Sequence, residues 1–127
     1  MRIRFALFLI VSALNGIAQN PDLPSDFLSS EFHKERRVQL RAKMPANSVA
    51  VFFSNAVRNR ANDVDYKYHQ NPDFLYLTGY TEPQSMLLIF KDKQTGANGS
   101  SYDEIIFVQP RNERAEMWTG RRLGDEG

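Results

Sequence analysis

The stretch of residues 66–83, YKYHQNPDFLYLTGYTEP, constrains the fold of this chain more than any other part of the sequence. It begins with a polar loop rich in tyrosine, residues 66–73, and continues with alternating aromatic and aliphatic side chains over residues 74–78. Aromatic residues favour strands, whereas Gly and Pro interrupt them. We therefore predict a loop, a strand and a turn at the centre of a small sheet, followed by a second strand over residues 86–90.

Length, charge and cysteine content narrow the class of protein. With 127 residues the chain can hold one domain, and its 42% apolar content is sufficient for a core. The 16 basic and 15 acidic residues nearly balance, which argues against a nucleic-acid or membrane-surface role driven by bulk charge. Because the chain has no cysteine, disulfides, cysteine-ligated zinc and thiol nucleophiles are excluded.

Residues 1–18 have the pattern of a cleavable signal peptide. Two arginines precede an apolar run, residues 5–14, that is too short to span a bilayer comfortably, and small residues follow it. We predict cleavage after Ala18, and hence a secreted or periplasmic protein with no segment left in the membrane. The alternative is a buried first strand or an uncleaved anchor. Residues 19–28 contain two prolines and are predicted to form a flexible leader.

Capping residues predict two helices. Ser29 or Ser30 can cap a helix over residues 31–44, which ends because a proline follows, and Asn112 can cap a shorter helix over residues 113–119. The polar side chains of the first helix are predicted to be mostly solvated: His33, Lys34, Glu35, Arg37 and Arg41.

The remaining pattern predicts strands and connections. Residues 48–54 form a continuous apolar run, which suits a central strand covered on both faces. Residues 58–65 are charged and are predicted to form a long surface loop. A flexible connection is predicted over residues 91–102, before a strand at residues 104–108. Within that connection, Asn98 begins a glycosylation triplet that matters only in a eukaryotic secretory host.

Three residues are candidate metal ligands. His69 lies in the loop that precedes residue 74, and Asp63 and Asp65 flank a valine. A metal site needs several converging ligands, and no further ligands lie at motif spacing. A structural hydrogen bond is therefore favoured for His69, and solvation is favoured for the two acids.

Two arginines and a tryptophan near the C-terminus are candidate binding residues. Arg121 and Arg122 could hold an anion or a carboxylate, and the alternative is a solvated turn or a pair of interdomain ion pairs. Trp118 favours a place in the core or at an interface over a substrate platform. From the residues alone, the chain is predicted to be a secreted α/β domain without a complete catalytic apparatus.

The block YxQNxDFxYxTGYxEP, residues 68–83, resembles the signature of the N-terminal domain of aminopeptidase P. Three other blocks stand in the family's order: FxxxRRxxL at residues 32–40, SVAVF at residues 48–52 and AExWxGxRxG at residues 115–124. The resemblance implies an α/β fold with a mixed β-sheet and flanking helices, like the N-terminal domains of creatinase and prolidase. It also implies that residues 29–127 form this domain incompletely, truncated at the C-terminus and without the catalytic pita-bread domain.

The family also implies a function. Its N-terminal domain shapes the substrate entrance and the oligomer interface of a Xaa-Pro aminopeptidase. The catalytic domain that follows binds two metal ions, usually manganese, and removes an N-terminal residue that precedes proline. None of the family's metal ligands or catalytic residues can be placed in this chain, so the chain alone is expected to be inactive. The implied partners are peptides with proline at the second position and further copies of the enzyme, not nucleic acid.

Seven residues at motif positions are carried over as candidates for the substrate entrance or the interface: Tyr68, Gln70, Asn71, Phe74, Tyr76, Trp118 and Arg122. The resemblance implies roles for them in the scaffold and in the wall of a site, not in chemistry. Two alternatives stay open. One is a prolidase- or creatinase-like relative, and the other is a non-catalytic orphan domain that binds peptides.

Overall fold

The computed structural model describes residues 28–126. The elements, in chain order, are α1 (Ser30–Lys43), β1 (Val49–Phe53), β2 (Asn59–Ala61), β3 (Val64–Asp65), α2 (Pro72–Thr78), β4 (Met86–Thr95), β5 (Ser101–Phe107), α3 (Glu113–Thr119) and a closing 3-10 turn (Gly124–Glu126). The predicted signal peptide and all but the last residue of the predicted leader lie outside the described residues. No helix within residues 28–126 is long and apolar enough to cross a membrane.

Three strands form the main sheet, in the order β1, β4, β5. The long strand β4 is central, because Leu88 lies opposite Val51 of β1 on one side and Ile105 of β5 on the other. A separate hairpin pairs β2 with β3. The predicted α/β class, a sheet with flanking helices, is confirmed. Every strand pairing within the described residues is antiparallel.

Helices α1 and α2 cover one face of the main sheet. Helix α2 places Phe74 and Leu77, three residues apart, against Leu87 and Ile89 of β4, and all four side chains are buried. Burial of each contributes roughly 1.5–3 kcal/mol to folding. Partly buried side chains surround this core: Leu40, Met44, Ala50, Phe52 and Tyr80.

The opposite face of the main sheet is apolar and stays open within residues 28–126. Val51 is 43% exposed and Phe53 is 60% exposed. The strand register places Phe53, Met86 and Phe107 in one row across the sheet. We call this surface the bare sheet face, and it consists of Val49, Val51, Phe53, Met86, Leu88, Phe90, Ile105 and Phe107.

The position of β1 corrects the prediction for residues 48–54. That prediction of a central strand covered on both faces is wrong, because β1 lies at an edge of the described sheet and its exposure alternates. Ala50 and Phe52 face the helices, whereas Val51 faces the open side. A central strand covered on both faces and an edge strand with one open face can both have a continuous apolar sequence. The sequence pattern therefore did not distinguish them.

Residues 74–78 are helical, so the prediction of a strand there is wrong. The Asn71 side chain accepts hydrogen bonds from the backbone N–H groups of Asp73 (2.9 Å) and Phe74 (3.2 Å). Pro72 follows at the first helical position, where its missing N–H costs nothing. Gly79 then ends the helix in the left-handed conformation, with φ of 71°. These caps at both ends favour the helix over the strand suggested by the alternating side chains.

Helix α1 begins after Ser29, as predicted, but three of its polar side chains are not solvated. His33 is buried, and its Nδ1 lies 2.8 Å from the carbonyl oxygen of Tyr76. Its ring leaves no room for a side chain at residue 79, where an added Cβ would lie 2.7 Å from Nε2. Arg37 and Arg41 bind Glu104 of β5. The prediction was wrong for these residues because their partners lie far away in the sequence.

Two predicted loops contain regular structure. The segment 58–65 forms the β2–β3 hairpin, in which Asn62 adopts the left-handed conformation at the turn. Strand β4 continues to residue 95 and β5 begins at residue 101, so the flexible connection predicted over residues 91–102 is reduced to a turn at residues 96–100. By contrast, α3 has the predicted bounds and the predicted cap, Asn112.

Candidate functional site

A groove of about 430 Å³ opens between the β2–β3 hairpin, the turn before β4, and the end of α3 with the segment that follows it. Three of the seven predicted site residues, Tyr68, Trp118 and Arg122, line it together. We call it the aromatic groove. Its other lining residues are Val57, Asp65, Tyr66, Glu82, Pro83, Gln84, Gln109, Thr119, Gly120 and Arg121.

The exposed wall of the aromatic groove combines an indole with two guanidinium groups. Trp118 is 87% exposed, although a large aromatic side chain is normally buried at least in part. The prediction that Trp118 lies in the core is therefore wrong. The prediction that it lies at an interface or at a ligand-binding site stays a prediction. Arg121 and Arg122 follow it at the same groove. Aromatic faces pack against apolar groups and guanidinium groups bind carboxylates, so this wall suits a peptide-like ligand.

Gln70 does not line the aromatic groove, but its side chain binds two residues that do, Tyr68 and Glu82. Its side chain is buried, and its Oε1 accepts hydrogen bonds from the backbone N–H groups of Asn55 (3.1 Å) and Asn71 (2.8 Å). Its Nε2 donates to the carbonyl oxygens of Tyr80 (3.1 Å) and Glu82 (3.0 Å). One amide therefore joins the end of β1, the start of α2 and the turn before β4.

Tyr68 lines the aromatic groove and links it to Gln70. Its hydroxyl donates to Oε1 of Gln70 at 2.8 Å and lies 3.2 Å from the carbonyl oxygen of Asn55. Burial raises the pKa of Tyr68, and hydrogen bonds involving Ser54 and Asn55 offset part of that increase. The hydroxyl therefore stays protonated near neutral pH and serves as a donor, not as a base.

Glu82 fixes the arginine segment against the groove. Its Oε1 accepts a hydrogen bond from the backbone N–H of Leu123 (2.7 Å), and its Oε2 accepts one from the hydroxyl of Tyr80 (2.7 Å). Burial raises the pKa of Tyr80 to about 12, with further contributions from the hydrogen bond to Glu82 and from its charge. The carboxylate therefore orients the chain that carries Arg121 and Arg122.

The raised pKa of Tyr80 predicts a loss of stability in strong alkali. The folded state holds the Tyr80 proton up to a pKa of about 12, whereas the ordinary value is 10.0. Tyr80 therefore contributes stability that is complete below pH 10.0 and is lost as the pH rises towards 12. Urea unfolding of the full chain over this range should show a fall that Tyr80→Phe reduces and that Tyr66→Phe, at an exposed tyrosine, does not. An equal fall in Tyr80→Phe would contradict this assignment.

The other three predicted site residues lie away from the aromatic groove. Asn71 caps α2, and Phe74 is fully buried in the core. Tyr76 projects from α2, where its ring packs edge-on against Phe32 and lines a second groove, beside Arg36. The structure thus brings Tyr68, Trp118 and Arg122 together and does not bring these three to the same site.

The candidate metal ligands do not converge. His69 is exposed, and its Nδ1 lies 3.0 Å from the carbonyl oxygen of Gln70. Asp65 accepts a hydrogen bond from the side chain of Asn59. Within residues 28–126, no group of three or more His, Cys, Asp or Glu side chains is placed to hold a metal ion.

Sequence reasoning missed Glu82, which lines the aromatic groove, and Tyr80, whose hydroxyl binds Glu82. Glu82 and Tyr80 are fixed letters of the block at residues 68–83, but neither was nominated as a site residue. Their spacing was the available signal, because residues 80 and 82 on either side of a turn can face each other. Fold and groove together define a small α/β module that is equipped to bind and to position, without a metal centre among its described residues.

Comparison with known proteins identifies the family of this module. The sequence profile described as "Aminopeptidase P, N-terminal domain" matches residues 33–127. The chain is 40% identical over 99 residues to Xaa-Pro aminopeptidase of Haemophilus influenzae, a match that covers 78% of this chain. It is 32% identical over 102 residues to Xaa-Pro aminopeptidase of Escherichia coli, covering 80% of this chain. The chain therefore belongs to the family of aminopeptidase P N-terminal domains.

Solved structures agree with this assignment. The fold is similar to that of proline aminopeptidase P II from Yersinia pestis, with a TM-score of 0.66 and 36% identity over 78% of this chain. It is also similar to aminopeptidase PepP of Pseudomonas aeruginosa, with a TM-score of 0.70 and 30% identity over 79% of this chain. The matches cover 22% of each of the two sequence relatives and 22% and 21% of the two structures.

Proposed function

We propose that this chain is the N-terminal domain of a secreted, manganese-dependent Xaa-Pro aminopeptidase, which removes an N-terminal residue that precedes proline. In this proposal, the aromatic groove is part of the substrate entrance and the bare sheet face contributes to an interface. The observation that carries the proposal is the convergence of Tyr68 with Trp118 and Arg122, from two segments of the chain about 50 residues apart, on one open groove. The relatives that are named Xaa-Pro aminopeptidase support the substrate class.

The chemistry of the aromatic groove fits a peptide with proline near its N-terminus. A proline ring is apolar and compact, so one of its faces can pack against the exposed indole of Trp118. The guanidinium groups of Arg121 and Arg122 can bind a carboxylate of the same peptide. Glu82 keeps these arginines in place through Leu123.

Manganese enters the proposal through the longer enzyme, not through the residues described here. The described side chains offer no cluster of metal ligands, so they do not fit a two-metal centre. The chain by itself is therefore proposed to be inactive. Its role would be to receive and orient the peptide for a centre formed elsewhere in the enzyme.

The bare sheet face supports the interface part of the proposal. Phe53 and Phe107 are about half exposed, in one continuous apolar row with Met86. Contiguous apolar surface of this kind marks a surface that another protein element covers. We assign it to packing within the assembled enzyme, against either the rest of the same polypeptide or a second copy.

A pair of neighbouring substitutions on α3 tests the substrate-entrance role. In the longer enzyme that contains this domain, Trp118→Ala should lower kcat/KM for an Arg-Pro-Pro peptide by about tenfold, the effect of losing one aromatic contact. Met117→Ala is the matched control, because Met117 is 75% exposed on the same helix but does not line the aromatic groove. Manganese-loaded enzyme is assayed for release of the first residue.

The outcomes separate the parts of the proposal. Equal kcat/KM for Trp118→Ala and the unchanged enzyme would overturn the entrance role. Release of arginine by the chain of residues 19–127 with manganese, above a metal-free control, would overturn the claim that it is inactive alone.

The two alternatives make different predictions for the same assays. A prolidase- or creatinase-like enzyme would leave the tripeptide intact, whatever stands at position 118. An orphan binding domain would have no longer enzyme around it, and the isolated chain would bind proline-containing peptides in a titration. The aromatic groove is the place where such binding should be lost on Trp118→Ala.

A further inference from the structure

The turn that joins β4 to β5 has a reactive sequence at its tip. Residues 96–100 read GANGS, and residues 97–100 are all exposed. Two backbone hydrogen bonds close the turn, from the N–H of Gly96 to the carbonyl of Ser100 (2.8 Å) and from the N–H of Gly99 to the carbonyl of Gly96 (2.9 Å). An asparagine followed by glycine can cyclise, because its side-chain amide lies near the next backbone nitrogen.

Two hydrogen bonds polarise the side-chain carbonyl of Asn98. Its Oδ1 accepts hydrogen bonds from the hydroxyl of Ser100 (2.6 Å) and from the backbone N–H of Ser100 (3.0 Å). Within the part of the chain that the structure describes, no hydrogen bond restrains its Nδ2. The carbonyl oxygen is thus stabilised as negative charge develops on it, while the amide nitrogen is free to leave.

We propose that Asn98 is a site of spontaneous deamidation and isomerisation, with Ser100 as the residue that positions and polarises its side-chain carbonyl. The backbone nitrogen of Gly99 attacks Cγ of Asn98, and a new C–N bond closes a five-membered succinimide ring. The bond from Cγ to Nδ2 breaks, and ammonia leaves with the proton from the backbone nitrogen. Water then opens the ring at one of its two carbonyls and gives aspartate or isoaspartate. No oxidant, reductant or enzyme is needed.

The surroundings of Gly99 favour this reaction. A Cβ added there would meet no atom within 4 Å beyond its chain neighbours, so no other part of the described structure crowds this residue. Before it can attack, its N–H must leave the carbonyl of Gly96. A solvent-exposed turn at the tip of a hairpin is among the parts of a protein that open most easily, so this step does not require global unfolding.

The product would differ from Asn98 in charge and in backbone length. Aspartate or isoaspartate lowers the formal net charge of the chain from +1 to zero. Isoaspartate also adds one carbon to the main chain within the turn. The extra carbon would change the spacing between the partners of the two hydrogen bonds that close the turn. The modification would therefore loosen the end of the β4–β5 hairpin.

Asn98 is chemically distinct from the other asparagines in the described residues. Each of those precedes Ser, Ala, Arg, Asp, Pro or Glu. Asn62 is the best comparison, because it also lies in an exposed hairpin turn but is followed by aspartate. Asn71 precedes proline, whose nitrogen has no proton to lose.

Peptide mapping after ageing tests the proposal. The full chain, made in a bacterium without N-glycosylation, is incubated in mildly alkaline buffer prepared with water enriched in heavy oxygen. Mass spectrometry then follows the conversion of each asparagine and the uptake of heavy oxygen. We expect Asn98 to convert about tenfold faster or more than Asn62, because glycine offers no side chain to obstruct the ring closure. Equal rates at the two positions would overturn the site.

A pair of adjacent serines tests the role of Ser100. Ser100→Ala removes one of the two donors to Oδ1 and should slow conversion of Asn98 roughly two- to tenfold, the range expected for one hydrogen bond. Ser101→Ala is the control, because no hydrogen bond joins its hydroxyl to Asn98, and it should leave the rate unchanged. A Ser100→Ala rate equal to that of the unchanged chain would overturn the role of Ser100.

Discussion

Replacement of Glu104 with alanine should lower the free energy of unfolding by about 2 kcal/mol, because it leaves Arg37 without its carboxylate partner and leaves Arg41 with Asp103, 3.3 Å away. Arg37 donates to both carboxylate oxygens at 2.9 Å, and Arg41 donates to one of them at 3.0 Å. Both arginine side chains are only 16% exposed, so water cannot fully replace the lost carboxylate. The contacts of Arg37 and Arg41 with Glu104 join α1 to β5.

The pH dependence of this effect has a definite sign. The hydrogen bonds and charge of Arg37, together with those of Arg41, hold the pKa of Glu104 below its ordinary value of 4.5, although burial opposes them. The contribution is therefore present above pH 4.5 and is lost as the pH falls through the folded-state pKa. The difference between the unchanged chain and Glu104→Ala should shrink in acid.

Urea unfolding followed by circular dichroism measures both quantities. Glu35→Ala is the control, because Glu35 is an exposed acid on α1 whose contact with Arg36 is 3.9 Å long. That substitution should change the free energy of unfolding by less than about 0.5 kcal/mol. If Glu104→Ala has as small an effect as the control, the ion pair contributes little and α1 is held by apolar packing alone.

The sequence predicted the elements whose signals are local. Ser29 and Asn112 cap α1 and α3 as expected, because a capping side chain binds a backbone group only three residues away. The same local signal was present at α2, in Asn71, Pro72 and Gly79, but the alternating side chains of residues 74–78 suggested a strand. A window of five residues is too short to distinguish the two periods, so the caps should have decided.

Contacts between residues that are far apart in the chain could not be predicted from the sequence. Arg37 and Glu104 are 67 residues apart, so no spacing rule pairs them, and His33 is buried by a helix that was predicted as a strand. The aromatic groove is a similar case. Tyr68 and Trp118 were nominated through a family resemblance, and only the fold shows that they share one groove.

Gln70→Leu should destabilise the chain by about 4 kcal/mol, because four backbone groups would lose their shared partner. The N–H groups of Asn55 and Asn71 and the carbonyls of Tyr80 and Glu82 all bind this one amide. Leucine has a similar volume but no polar atom, so the loss is one of hydrogen bonds and not of packing. Gln39→Leu, at an exposed glutamine of α1, is the matched control.

A second substitution at Gln70 separates its two ends. Glutamate keeps the acceptor for Asn55 and Asn71 but turns a carboxylate oxygen towards the carbonyls of Tyr80 and Glu82, where Nε2 now donates. Gln70→Glu should therefore be destabilised at neutral pH and should recover part of the loss in acid, when the carboxyl group regains a proton to donate. Equal stability of Gln70→Leu and Gln39→Leu would mean that water replaces the amide. The segments beside the aromatic groove would then be held by the contacts of Glu82 with Tyr80 and Leu123 instead.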